Sequence, residues 1–106
     1  MLPPIYISLS ISVETKVDPQ YQNAESMVEQ AVEKYLAAFK EQFGGTVSYS
    51  GLYGYIDRLD CVAGVRSLML ETKENEVRRN PHGDLIFPRN GIADEIRIRC
   101  SCSIEG

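Results

Sequence analysis

Regular alternation of apolar and polar residues predicts a strand near the start of the chain. Between Ile5 and Val13 every odd position is apolar, whereas the even positions carry tyrosine or serine. Side chains of a strand point alternately to opposite faces, so one face should be buried and the other polar. Pro19, in a turn-like stretch, should stop any continuation of this strand.

The spacing of apolar residues then changes from two to three or four. Asn23 is suited to cap a helix that begins at Ala24, and the apolar stripe continues down to Phe43. Gly44 and Gly45 should end this helix.

A second, shorter helix is predicted in the stretch SYSGLYGYIDRLD, residues 48–60. Ser48 or Ser50 is a suitable N-cap, and apolar residues gather on one side of the helix. Gly51 and Gly54 weaken the prediction, because each glycine costs about 1 kcal/mol in a helix interior.

Three further strands are predicted in the second half. The apolar segment Val65–Thr72 suits a largely buried strand, and the polar loop, residues 73–83 (KENEVRRNPHG), follows it. Asp84–Phe87 should form a short strand that Pro88 stops. Ile96–Ile104 alternates again, with isoleucine and cysteine on one parity and arginine and serine on the other.

These elements predict one α+β domain over residues 1–106, in the order strand, helix, helix, strand, strand, strand. Two helices should pack on one face of a small mixed or antiparallel sheet. If the first and last strands share that sheet, its other face displays a polar set: Tyr6, Ser8, Ser10, Ser12, Arg97, Arg99, Ser101 and Ser103. Such a face is either plain solvent surface or a partner contact.

Cys100 and Cys102 raise the question of a metal site, since they lie one residue apart. Both continue the isoleucine face of the last strand, where a reduced cysteine behaves as a small apolar residue. A zinc site needs about four ligands, usually with pairs spaced C-x(2–4)-C. Only Cys61 and His82 remain to complete one, so we expect no metal and no other cofactor.

The remaining candidates for chemistry are weak. His82 is the only histidine and lies among turn formers, where a solvent-exposed loop residue is expected, and no nucleophile motif accompanies it. The chain is therefore expected not to be an enzyme. A formal net charge of −4 argues against a nucleic-acid surface. The absence of a signal-like or long apolar segment predicts no membrane insertion and a cytoplasmic location.

One short motif keeps a nucleic-acid alternative open. Gly51–Gly54 reads GLYG, similar to the G-x-x-G loop of KH domains. It lacks flanking basic residues and contains bulky apolar ones, so helix packing is the favoured interpretation. Tyr49, Tyr53 and Tyr55 are compatible with a binding surface, although tyrosines at helical spacing more often belong to a core.

The order of segments resembles a known family. LPPIYISLSISV, then YLAAFKEQFGGTVSYSGLYGYI, VAGVRSLML and HGDLIFPRNGIADEIRI are similar to the C-terminal domain of J-like baseplate wedge proteins. These belong to contractile phage tails and related injection systems. The resemblance implies a structural assembly module, either an excised domain or a small relative, that contacts other baseplate or tail proteins in a virion or tail-like particle. A homo-oligomer is an open alternative. A small cytoplasmic binding or regulatory domain is the alternative function.

The polar loop supplies the candidate contact residues. Lys73, Arg78 and Arg79 lie in this longest polar insertion between predicted strands. Loops on a rigid scaffold often carry recognition, and arginine is enriched at interface hot spots. A simply solvated hairpin end is the competing interpretation.

Overall fold

The computed structural model describes residues 3–104. The elements are β1 (Ile5–Val17), α1 (Ala24–Leu36), a 3-10 turn (Ala37–Lys40), β2 (Thr46–Val47), α2 (Tyr49–Asp57), β3 (Val62–Thr72), β4 (Arg78–Arg79), β5 (Leu85–Ile86) and β6 (Gly91–Ile104). The α+β class and the two helices are confirmed.

A three-stranded sheet forms the backbone of the fold, in the order β3-β1-β6. The central strand β1 runs antiparallel to β3 and parallel to β6, so the sheet is mixed. The odd residues of β1 from Ile7 to Val17 are buried, as its alternation predicts. The strand continues four residues past Val13, because Thr15 is buried like its apolar neighbours on that face.

Both helices cover the same face of this sheet. Buried side chains from α1 and α2 join the odd side chains of β1 in one core; those of the helices are Ala24, Val28, Val32, Leu36, Leu52 and Ile56. Of these, Leu36 and Leu52 are completely buried. The even residues of β1 lie on the other side, which we call the open face. It carries Ser10 between Glu71 and Arg97, and Ser12 between Met69 and Arg99.

The predicted order of elements along the chain differs from the observed order in detail, and the structure has two small sheets where one was predicted. Leu85–Ile86 belongs to a second small sheet, β2-β5-β4, rather than to the main sheet. Pro88 has no N–H to continue a ladder, and the flanking Phe87 N–H donates to the Gly45 carbonyl instead. The sequence did not reveal β2 or β4, because two-residue strands have no periodicity to detect.

The first helix ends earlier than its apolar stripe predicts. After Leu36 the chain tightens into the 3-10 turn, and Phe39 packs edge-on against Phe87 with ring centroids 5.9 Å apart. Phe43 remains 58% exposed instead of extending the stripe. Gly44 then takes a φ of 78°, a left-handed conformation that a glycine adopts without strain.

The last strand begins five residues before the predicted start at Ile96. A bulge at Asp94 shifts the register against β1, since Ala93 pairs with Ile7 and Glu95 with Ser8. Before the bulge the odd-numbered residues of β6 face the core, and after it the even-numbered residues do. The alternation of apolar and polar residues is therefore interrupted at the bulge, and the first part of the strand could not be predicted from it. After the bulge the arginine and serine parity lies on the open face, as predicted. The side chain of Ile104 lies outside the described residues.

Candidate protein-contact surfaces

The polar loop does not bring its three candidate residues to one place. Arg78 and Arg79 form β4, whereas Lys73 directly follows β3. Arg79 lines a groove of about 320 Å³ beside β3, and Lys73 lines a different hollow next to Ser10 and Arg97. All three residues are exposed, so each remains accessible to a partner.

Arg79 has a structural contact that the sequence did not indicate. Its guanidinium donates a hydrogen bond to the carbonyl oxygen of Leu70, in the edge strand β3. Arg78 makes no such side-chain hydrogen bond among the residues described, so it is the freer of the two arginines. Arg79 therefore holds the polar loop against the sheet, and Arg78 is the better placed to contact a second protein.

The end of the polar loop is fastened to the second helix. The backbone N–H of Tyr49, the first residue of α2, donates to Asp84 Oδ1 at 2.7 Å, and the Asn80 side-chain amide donates to Asp84 Oδ2 at 3.0 Å. Asn80 Oδ1 in turn accepts the backbone N–H groups of His82 and Asp84. The hydrogen bonds from Asn80 and Tyr49 lower the pKa of Asp84. The segment is thus a fixed platform rather than a loose hairpin end.

The groove beside β3 is lined by residues of β3, the polar loop and α2. They are Leu68, Met69, Leu70, Glu71, Arg79, Pro81, His82, Gly83 and Tyr49. No serine, threonine or cysteine lines it, so His82 has no nucleophile to activate there.

The thiols of Cys100 and Cys102 lie close together on the core side of β6. Cys100 and Cys102 Sγ are 3.8 Å apart, and Cys102 Sγ lies 3.3 Å from the hydroxyl of the buried Thr15. Burial, followed by the proximity of Cys102, raises the pKa of Cys100 to about 12, and burial also raises that of Cys61. Within residues 3–104 no group of three or more His, Cys, Asp or Glu side chains is arranged to hold a metal ion. Neutral thiols packed in an apolar face are poor metal ligands.

The two outer edges of the main sheet differ sharply. On β3, carbonyl groups accept side-chain hydrogen bonds, from Tyr53 Oη to the Val65 oxygen at 3.3 Å and from Arg79 to the Leu70 oxygen. On β6, the Gly91 carbonyl accepts the Gly44 N–H. Beyond the bulge, in the part of β6 that the structure describes, no hydrogen bond from another element reaches the outer edge.

We call this outer edge of β6, from Glu95 to Ser103, the open edge. On the core side of β6, Ile96, Ile98, Cys100 and Cys102 are only partly buried, whereas their β1 neighbours are at most 1% exposed. Helix α1 packs on the core side of β6, but in the described part of the chain no further strand continues the sheet beyond β6, and these side chains stay partly buried. Alternation in the last strand hints at its two faces, but no sequence signal shows that the strand lies at an edge.

Neither helix in the described part of the chain has the length and apolar character needed to span a bilayer. Comparison with protein families, with characterised proteins and with solved structures finds no match to this chain. The surfaces themselves, together with the resemblance noted above, are therefore the basis for a functional proposal.

Proposed function

We propose that this chain is a structural assembly module of the baseplate of a phage tail or tail-like injection machine. It acts through protein–protein contacts rather than catalysis. The observation that carries the proposal is the order of segments similar to J-like wedge proteins: alternating strand, long helix, Gly-Gly turn, short helix, apolar strand, and GDLIFPRNGIA before the last strand.

The distribution of surfaces supports this proposal. An assembly module needs a stable small core and several separate faces for its neighbours. The domain measures 53 × 25 × 19 Å, so its contact surfaces are spread along an elongated body. The polar loop, the open face and the open edge are three such surfaces. No serine, threonine or cysteine lines the groove beside β3, which fits contact better than nucleophilic catalysis.

Charge reversal separates the contact role of the polar loop from its structural role. Replacing Lys73 and Arg78 by Glu should weaken binding to a neighbouring baseplate subunit without unfolding the domain, because both side chains are exposed. Arg58→Glu with Arg89→Glu is the matched control of equal charge change, since both residues are also exposed but lie outside the loop. Unchanged affinity in the double variant, with native circular dichroism, would exclude these two residues as the contact.

A small cytoplasmic binding or regulatory domain is the alternative function, and a KH-like nucleic-acid binder is its less favoured form. Gly51–Gly54 lies inside α2, and Leu52 is completely buried. A backbone clamp needs an exposed loop between elements. The placement of this motif therefore supports helix packing over nucleic-acid binding.

The proposal is tested on particles. Tail or tail-like particles are purified from cells that produce the protein and fractionated by density, and each fraction is analysed by quantitative mass spectrometry. We expect the chain at a constant ratio to other tail proteins across the particle peak. Fractions without particles, and a strain lacking the gene, are the controls. A chain that stays entirely in the particle-free fractions would contradict the proposal.

A further inference from the structure

The open edge has the features of a strand-pairing template. In a parallel pair, alternate residues direct both N–H and C=O away from the neighbouring strand. Along Glu95–Ser103 these outward groups meet no other element in the described structure, whereas β3 has Tyr53 and Arg79 on its edge. Exposed edges of this length pair readily with an added strand, and proteins that avoid such pairing block them.

A hollow beside the open edge is suited to receive the side chains of an added strand. It has a volume of about 250 Å³, and its lining mixes charged and apolar residues: Glu33 of α1, Ala37 and Lys40 of the 3-10 turn, and Ile96. Ala37 and Ile96 are the apolar part of this lining, which we call the apolar floor, and partly buried Ile98 extends it toward the end of the strand. An added strand would cover this floor with every second side chain.

The other side of the open edge is basic. Arg97 and Arg99 project onto the open face, and both are exposed. Arg97 forms an ion pair with the carboxylate of Glu95, with Nε and Oε1 2.8 Å apart, so its charge is partly balanced within the strand. Arg99 has no ion pair among residues 3–104. Carboxylates on the open-face side of an added strand would lie directly opposite these guanidinium groups.

The two arginines also argue against a second copy of this chain as the occupant. Antiparallel pairing of two β6 strands centred anywhere from Arg97 to Arg99 places guanidinium opposite guanidinium, which is destabilising. When the pair is centred on Cys100, each Arg99 lies opposite Ser101 of the other copy, and the two Arg99 side chains are diagonal neighbours that still repel each other. Centring on Ile96 pairs Glu95 with Arg97, but the bulge at Asp94 interrupts the ladder immediately afterwards.

We propose that the open edge binds an extended segment of a partner protein that alternates apolar and acidic residues. Its apolar side chains cover Ile96 and Ile98, and its carboxylates pair with Arg97 and Arg99. This inference rests on the protein-contact function proposed above, and it names the surface and the partner chemistry for that function.

The test uses two synthetic probes on the 106-residue protein. One is a capped nine-residue peptide of alternating valine and glutamate, and the other is the same peptide with lysine for glutamate. Hydrogen exchange of individual amides is followed by NMR. We expect the glutamate peptide to slow exchange at alternate residues of 95–103, and to bind at least about tenfold more tightly than the lysine peptide.

A double variant, Arg97→Glu with Arg99→Glu, should reverse the preference between the two peptides. Arg58→Glu with Arg89→Glu is the control of equal charge change at two exposed residues outside the polar loop and β6, and it should leave the preference intact. Equal affinity for the two peptides, or no protection of the β6 amides by either, would overturn the proposal even if the double variant failed to fold. Protection that rises with protein concentration in the absence of peptide would overturn it in favour of a second copy.

These outcomes are separable from those of the particle experiment. Peptide binding at the open edge by a protein that is absent from particles would refute the baseplate role and leave the edge site standing. A chain that is present in particles but does not bind the glutamate peptide would refute the edge site alone.

Discussion

Replacing two paired isoleucines by alanine, one at a time, and comparing the losses in free energy of unfolding tests how exposed the edge of the sheet is. Ile11 in β1 and Ile98 in β6 are directly opposite one another and point into the same core. Ile11 is 1% exposed, whereas Ile98 is only partly buried. Both replacements by alanine remove the same three carbons from a strand, so the loss of intrinsic strand preference is similar at the two sites.

The expected costs differ because burial differs. Removing three carbons from a buried site loses about 2.4 kcal/mol of transfer free energy at roughly 0.8 kcal/mol per methylene. A cavity term brings Ile11→Ala to about 4 kcal/mol. At Ile98 the transfer term is only partly realised and solvent fills the space, so Ile98→Ala should cost about 1–2 kcal/mol.

Urea unfolding, monitored by circular dichroism, gives the free energy of unfolding of each variant. Ser10→Ala on the open face is the control, and it should change stability by less than about 0.5 kcal/mol. Equal losses at Ile11 and Ile98 would refute the assignment of β6 as an uncovered edge. Repeating the titration at several protein concentrations would then show whether a second copy covers it.

The remaining predictions concern the core, the thiols and the polar loop. Leu36→Ala should lower the free energy of unfolding by about 2–5 kcal/mol in urea titrations, because Leu36 is completely buried; a loss below about 1 kcal/mol would contradict its place in the core. The pKa of Cys100 is raised to about 12 in the folded protein, so the fold binds the thiol proton more tightly than the unfolded chain does. The contribution of this protonated thiol to stability is therefore complete below the unfolded pKa near 9, and it is lost as the pH rises toward 12. Iodoacetamide should therefore label the native protein slowly at pH 8 compared with protein in urea, and equal rates would contradict this. Because the pKa of Asp84 is lowered, its contribution is present above the ordinary aspartate value of about 4 and is lost as pH falls through the folded pKa. Asp84→Asn should flatten that part of the pH-stability profile measured by thermal unfolding, and an unaltered profile would exclude the contribution.

The sequence predicted the elements that have long periodic patterns. The alternation of β1 identified its buried face, and Ser48, one of two predicted caps, accepts the Gly51 N–H at 3.0 Å at the start of α2. Asn23 does precede α1, but its side chain makes no capping hydrogen bond. The repeat of apolar residues in a helix or a strand can be read from one sequence, because it reflects which face of that element is buried.

The features that the sequence did not predict depend on distant contacts. The short strands β2 and β4 pair with β5 through a few backbone groups that leave no pattern in the sequence. The bulge at Asp94 depends on the register of β6 against β1, and a register cannot be read from one strand alone. The difference between the two sheet edges also depends on distant contacts, because the hydrogen bond that Tyr53 donates to β3 requires α2 to pack beside that strand.

The candidate contact residues were predicted as a group, but the structure separates them. Lys73 and Arg79 border different hollows, and Arg79 is tied to the Leu70 carbonyl. Composition and loop length indicate that arginines lie in a polar insertion, yet they do not indicate which of them bond to the chain itself. For Arg97 and Arg99, the sequence indicated only that they occupy polar positions of an alternating strand. Their place beside an unpaired edge follows from strand order.

The most direct measurement of the assembly role is a count of finished baseplates by cryo-electron microscopy. Particles are compared from cells with the intact gene, cells with the gene deleted, and deleted cells that carry a restored copy. We predict that deletion sharply reduces assembled baseplates, that separate tail components persist, and that the restored copy returns the count to normal. Normal numbers of complete baseplates in the deleted cells would contradict the structural role.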